Sequence, residues 1–150
     1  MRIWKPSVTV AAVIERDGKF LLVQERISSG RLVLNQPAGH LDPNESLAAA
    51  CAREVMEETA HHFAPTALVG IYRWTDPRKD FTFLRFAFRG TVGAVSPRNL
   101  DKEIVAALWL SPGEIRGRQA EHRSPLVQKC VDDFLAGRSF PLEAFSPEFA

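Results

Sequence analysis

The 150-residue chain carries 19 basic and 18 acidic side chains, a formal net charge of +1, and 45% of its residues are apolar. This length suits one domain with a real core, so residues 1–150 read as a single unit, and the composition is that of an ordinary globular protein rather than a disordered or fibrous one. Balanced charge excludes a strong overall pull toward nucleic acid or an anionic bilayer, and no apolar run is long enough to span a membrane.

Along the chain, residues 8–14 are rich in β-branched side chains, Asp17-Gly18 marks a turn, and residues 20–23 resume the apolar run, which predicts a hairpin. A short extended piece at 32–34 runs into Asn35-Gln36-Pro37-Ala38-Gly39-His40, where Pro and Gly exclude a central strand and indicate a strand end opening into a loop. After the turn-forming Asp42-Pro43-Asn44, residues 46–59 are dominated by Ala, Leu, Glu and Met and predict the clearest helix. Strands are expected at 66–74, 81–92 and 104–110, with Asp76 to Lys79 as the turn between the first two. A second helix is expected over 124–136, with Pro125 in its first turn and Gly137 just beyond its end. Strands in groups with interleaved helices indicate a mixed sheet flanked by helices.

The informative stretch is the first helix. Glu54, Glu57 and Glu58 stand three and four positions apart and project from one side of it. Like charges at this spacing destabilise a helix by a few tenths of a kcal/mol per pair, a cost that a bound cation reverses. An oxygen-only donor set suits magnesium, or manganese, better than zinc or copper. Leu47, Ala48, Cys51, Ala52 and Val55 fall on a neighbouring face, so one helix can pack on a sheet while presenting acids to a groove. Three glutamates alone are most often a solvated surface. The wider spacing of Gly39, Glu45, Arg53, Glu54, Glu57 and Glu58 arises by chance in a chain like this about once in 100,000, at roughly 5–7% usage per residue type.

This pattern resembles the Nudix box: Gly, five residues, Glu, seven residues, Arg-Glu, an aliphatic residue, any residue, Glu-Glu, then any residue, Gly and a final aliphatic. The chain departs from it with Ala60 for the glycine and His61 for the aliphatic, which predicts an altered helix exit after Glu58. The resemblance implies an α/β/α sandwich with a mixed sheet, the box forming a loop-helix-loop. It implies that Glu54, Glu58 and the Gly39 carbonyl hold the divalent ions, and that Glu57 is a ligand or the base that activates water. Arg53 and Glu45 would then be the ion pair that fixes the helix against its loop.

Weaker matches, at Gln36 to Leu41, Tyr72-Arg73-Trp74, Phe83 to Phe86 and Arg123 to Val127, are similar to a phosphatase of that family. They imply hydrolysis of nucleoside tri- and diphosphates and of the thiamine pyrimidine precursor's pyrophosphate, with release of orthophosphate. Alternatives are another nucleoside-diphosphate-linked substrate, or a noncatalytic nucleotide-binding domain. Glu103 is the candidate for a further acid, ahead of Asp101 and Glu121. Arg85 is a candidate phosphate ligand, Trp74 a stacking partner, and Gln36 and His40 flank the box loop within reach of a ligand. His61, His62 and His122 are expected as packing or surface residues, and Cys51 and Cys130, matching no zinc or redox spacing, as apolar residues of a reducing compartment. No secretory leader is evident, so a cytosolic monomer or small homo-oligomer is expected.

Overall fold

The computed structural model describes residues 1–147. Two sheets are flanked by helices. The first has strand order β5-β1-β7-β6-β9, built from β1 (Ser7–Ala12), β5 (Ala38–His40), β6 (His61–Asp76), β7 (Phe81–Val95) and β9 (Phe140–Pro141). It is mixed, because β1 runs parallel to β7 and antiparallel to β5. The second sheet is antiparallel, with β3 (Lys19–Arg26) pairing β2 (Glu15–Arg16), β4 (Leu32–Asn35) and β8 (Ile104–Leu110).

Alternation along the inner strands divides the core in two. Val10, Ala12, Ile14 and Leu21 pack with Ala50, Cys51 and Val55 of helix α1 (Leu47–Thr59). Ala11, Val13, Phe20 and Leu22 point the other way, onto Ile115 of α2 (Pro112–Gly117) and Val127, Cys130 and Val131 of α3 (Leu126–Leu135). Residues 10–14 are therefore apolar on both faces, as an inner strand covered on two sides requires. The α/β/α sandwich follows directly from this period-two division.

The expected pairing of residues 8–14 with 20–23 is corrected. Asp17 and Gly18 both take positive φ and turn the chain, but the hairpin they make is the short β2–β3 pair, while β1 belongs to the other sheet. The two segments share core contacts, but the backbone hydrogen bond between them is the amide of Leu21 donating to the carbonyl of Ile14 at 2.9 Å. Burial on both faces leaves β1 free to join whichever edges its backbone meets, and those are β5 and β7.

A second correction concerns Ala60. It takes the left-handed conformation itself (φ 61°, ψ 11°), and its amide donates to the Met56 carbonyl, so the exit expected of a glycine is made by an alanine. His61 is then buried with its ring edge-on to Trp109. Helix α2, whose Ser111 and Glu114 form a reciprocal cap, is an element the sequence reading lacked. Among the described residues no helix is long and apolar enough to cross a membrane.

Candidate active site

Ser46 starts α1 by accepting a hydrogen bond from the Ala49 amide, and the buried Ala50, Cys51 and Val55 fix which side of the helix faces the sheet. Glu54, Glu57 and Glu58 consequently emerge toward the end of β5. Glu45 grips Arg53 in a two-pronged pair, with Nε to Oε2 at 3.1 Å and Nη2 to Oε1 at 2.8 Å, and accepts from the Asp42 amide at 2.8 Å. Arg53 also donates to the His40 carbonyl at 3.0 Å, so loop and helix are tied through one guanidinium.

The carboxylates do not converge. Nη1 of Arg53 lies between Glu54 (2.9 Å) and Glu57 (3.2 Å), whereas Glu58 accepts from the Ala38 amide at 2.9 Å. Among the described residues, no three His, Cys, Asp or Glu side chains surround a shared point. Arg53 draws Glu54 and Glu57 together, and among the described residues Glu58 has no ion pair.

Burial makes that arrangement costly. Glu54 and Glu58 are each 8% exposed. Desolvation, with repulsion from Glu57 and Asp101, pushes Glu54 up to about 7 despite Arg53. Desolvation likewise pushes Glu58 up to about 9, and Glu54, Glu25 and Asp101 add repulsion. Asp101 is raised as well, first by burial and then by Glu57 and Glu103. Its amide donates to the Glu57 carbonyl at 2.9 Å, which pins the loop before β8 against the helix end.

One acid near the cluster was not flagged from the sequence, Glu25, with no motif around it; Asp101, an alternative to Glu103 for the further acid, also lies beside the cluster. Glu25 is 9% exposed near the end of β3 and pairs with Arg123 across 98 residues. No local spacing could reveal that meeting. Glu121 pairs with Arg118 instead and does not border the groove.

Beside the cluster runs a groove of about 460 Å³, bordered by Gly39, His40, Trp74, Arg85 and Glu103 together with Glu25 and Arg123. Arg26, Arg31, Arg78 and Lys79 also border it, an assembly of cations from β3, the following loop and the β6–β7 turn. Arg85, on β7, is 6% exposed. Its guanidinium donates to Gln36 Oε1 and Asn35 Oδ1, both at 2.9 Å, and contacts the Cys130 sulfur at 3.7 Å. These partners are neutral, and no ion pair satisfies this cation among the described residues.

Gln36 is not in the groove. It is 1% exposed and spans from Arg85 to the Val127 carbonyl, to which its amide donates at 2.9 Å. Trp74 stacks on Phe83 with centroids 6.1 Å apart and borders the groove. His40 is exposed, with its Nδ1 3.0 Å from the Ser7 hydroxyl.

A buried acidic helix face beside a cation-lined groove is what phosphoanhydride hydrolysis requires, and likeness to known proteins agrees. The NUDIX domain model matches residues 4–130, and the chain belongs to the Nudix family. It is a hydrolase of phosphorus-containing acid anhydrides. Phosphatase NudJ of Escherichia coli K12 is 39% identical over 142 residues, covering 94% of this chain and 91% of that protein, and NudJ of Shigella sonnei aligns equally well. A solved NUDIX hydrolase from Nitrosomonas europaea is 53% identical with TM-score 0.93, covering 95% of this chain and 97% of that one. The MutT protein of Methanosarcina mazei shares 26% identity with TM-score 0.71 over 91% of this chain and 98% of that one.

Proposed function

We propose that this chain hydrolyses nucleoside tri- and diphosphates, and the pyrophosphate of the thiamine pyrimidine precursor, in the cytoplasm with magnesium or manganese, releasing orthophosphate. One observation carries the reading: the buried guanidinium of Arg85, held by neutral partners only, borders a groove ringed with further cations. A desolvated cation without a counter-charge is unfavourable until an anion arrives, and a phosphate is the anion a planar fork fits best. Likeness to NudJ over 94% of the chain supports the phosphatase assignment.

The acidic face fits a divalent ion on the same grounds. Its donors are all oxygen, and Glu58 is a buried carboxylate that accepts from one amide and, among the described residues, pairs with no cation. Glu54, Glu57 and Glu58 with the Gly39 carbonyl would hold magnesium, which supplies charge neutralisation at the phosphate and a more acidic water. Arg53 keeps the loop before α1 fixed through Glu45 and the His40 carbonyl, and Glu54 and Glu57 would have to turn from its Nη1 toward the ion. Arg85 and the cations around it orient the polyphosphate. Water attacks phosphorus, the bridging P–O bond breaks with its electron pair staying on the leaving phosphate, and Glu57 or Glu103 takes the water's proton.

The test is a panel of phosphoanhydrides with magnesium, measuring orthophosphate and pyrophosphate separately. Orthophosphate is expected from both tri- and diphosphates; preferential pyrophosphate from triphosphates would remove the NudJ-like assignment and leave the hydrolase class. Arg85→Met should lower kcat/KM by roughly 30- to 150-fold, corresponding to about 2–3 kcal/mol for a charge-assisted phosphate contact. Unchanged kcat/KM would remove Arg85 from substrate binding.

A further inference from the structure

Asn35 closes β4, paired with Val23 of β3, and borders the groove although it is only 7% exposed. A side-chain amide carries one carbonyl acceptor and two N–H donors, and a nearly buried one is expected to use them. Arg85 can only donate, so the 2.9 Å contact from its Nη2 fixes the Asn35 amide with Oδ1 toward the guanidinium and Nδ2 away from it. Nδ2 has no partner among the described residues. Nor is it one of their buried unpaired atoms, which are His122 Nδ1 and Gln128 Oε1, so it stands open to solvent with both hydrogens free. The groove is where Asn35 meets solvent.

The donor is held in place. Arg85 Nη1 is engaged by Gln36 Oε1 at 2.9 Å, and Gln36 is itself fixed because its Nε2 donates to the Val127 carbonyl at 2.9 Å. With Nη2 on Asn35, both prongs of the fork are anchored, and the Asn35 amide is anchored to the fork. Oδ1 and Nδ2 share one carbon, so Nδ2 lies no farther from Nη2 than that 2.9 Å bond plus the width of one amide group. Neighbouring oxygens of a phosphate chain span such a gap.

We propose that Asn35 is a phosphate-binding residue of the groove: Arg85 aims its amide, and Nδ2 donates to a non-bridging oxygen beside the one that Arg85 holds. The inference rests on the reading above that Arg85 binds phosphate. An amide does here what no charged side chain could. A carboxylate would accept from Arg85 but cancel its charge and repel the anion, and a cation would attract the anion but repel Arg85. The neutral amide accepts from the guanidinium on one side and donates to the phosphate on the other.

Imidodiphosphate, a pyrophosphate analogue whose P–N–P bridge resists hydrolysis, is to be titrated calorimetrically into the full chain with magnesium. Asn35→Asp keeps the shape and the acceptor for Arg85 but removes both hydrogens and sets a negative charge against the anion. Its dissociation constant should rise at least about tenfold, and a smaller rise overturns the inference. Direct contact is separated from an effect carried through Arg85 by adding Asn35→Leu to Arg85→Met, where no guanidinium remains to be steadied. A further loss of at least about threefold is expected, within the range of one neutral hydrogen bond. A smaller loss means that Asn35 only positions Arg85, and overturns the contact; should a thermal melt show the paired variant unfolded, Asn35→Asp alone decides. Arg85→Met by itself tests the underlying reading. Unchanged affinity there removes Arg85 and this inference together, whereas loss with Arg85→Met but not with Asn35→Asp keeps the phosphate groove and removes Asn35 alone.

Discussion

A single methyl group at residue 39 tests how the site is held. An ideal Cβ built on Gly39 overlaps both carboxylate oxygens and Cδ of Glu54. The strand can accommodate alanine, because Gly39 is not among the residues with positive φ, so the conflict falls on Glu54 rather than on the backbone. Displacing Glu54 breaks its 2.9 Å contact with Arg53, a charge-assisted bond worth about 1.5–3 kcal/mol. Loss of chain entropy in the unfolded state offsets about 0.4–1 kcal/mol of that. Gly39→Ala should therefore cost about 1–2 kcal/mol, lowering Tm by roughly 2–8 °C in a chain of this size. Activity should fall far more, by about 100-fold in kcat, since a misplacement near 1 Å at the reacting centre has that effect. Phosphate release and a thermal melt on the same sample decide it. Turnover within threefold of the unmodified protein would refute the claim that Glu54 must sit against Gly39, and a Tm loss beyond 15 °C would show that the backbone, not the carboxylate, gives way.

Ala60 is left-handed at a cost of about 1–2 kcal/mol, and its buried methyl returns about 0.8 kcal/mol. Ala60→Gly should raise stability by less than about 1 kcal/mol with activity unchanged, and a lower melting temperature would contradict this. In chelated protein, Glu54 and Glu58 have raised values in the fold, so their contribution to stability is present below the ordinary carboxylate value and is lost as pH rises toward about 9. Magnesium should reverse that trend and raise Tm at pH 8, by an amount equivalent to about 2.7 kcal/mol at a hundredfold excess over its dissociation constant. A Tm indifferent to magnesium would count against ion binding at these acids.

The acidic helix was legible in the sequence because its information is local. Periodicity, the Ser46 cap and the spacing of Glu54, Glu57 and Glu58 lie within thirteen consecutive positions, and the box adds Gly39 and Glu45 close by. Helix α3 was legible for the same reason, between Pro125 and Gly137. Pairing of β1 was not, because an apolar strand covered on both faces carries no signal naming its neighbours. Tyr72 likewise gave no hint that its hydroxyl donates to Asp133 at 2.8 Å, 61 positions on.

Residue chemistry fixed in advance which side chains could bind a cation or a phosphate; the tertiary fold alone decided which of them meet. It brought Glu25 and Asp101 to the acidic cluster, buried Gln36 beneath Arg85 instead of in the groove, and gave Arg53 to Glu54 and Glu57 while withholding a cation from Glu58. Charges that neighbour one another along a helix are written in its spacing. Charges that become neighbours through strand order and loop closure depend on contacts dozens of residues apart, and those belong to the folded chain.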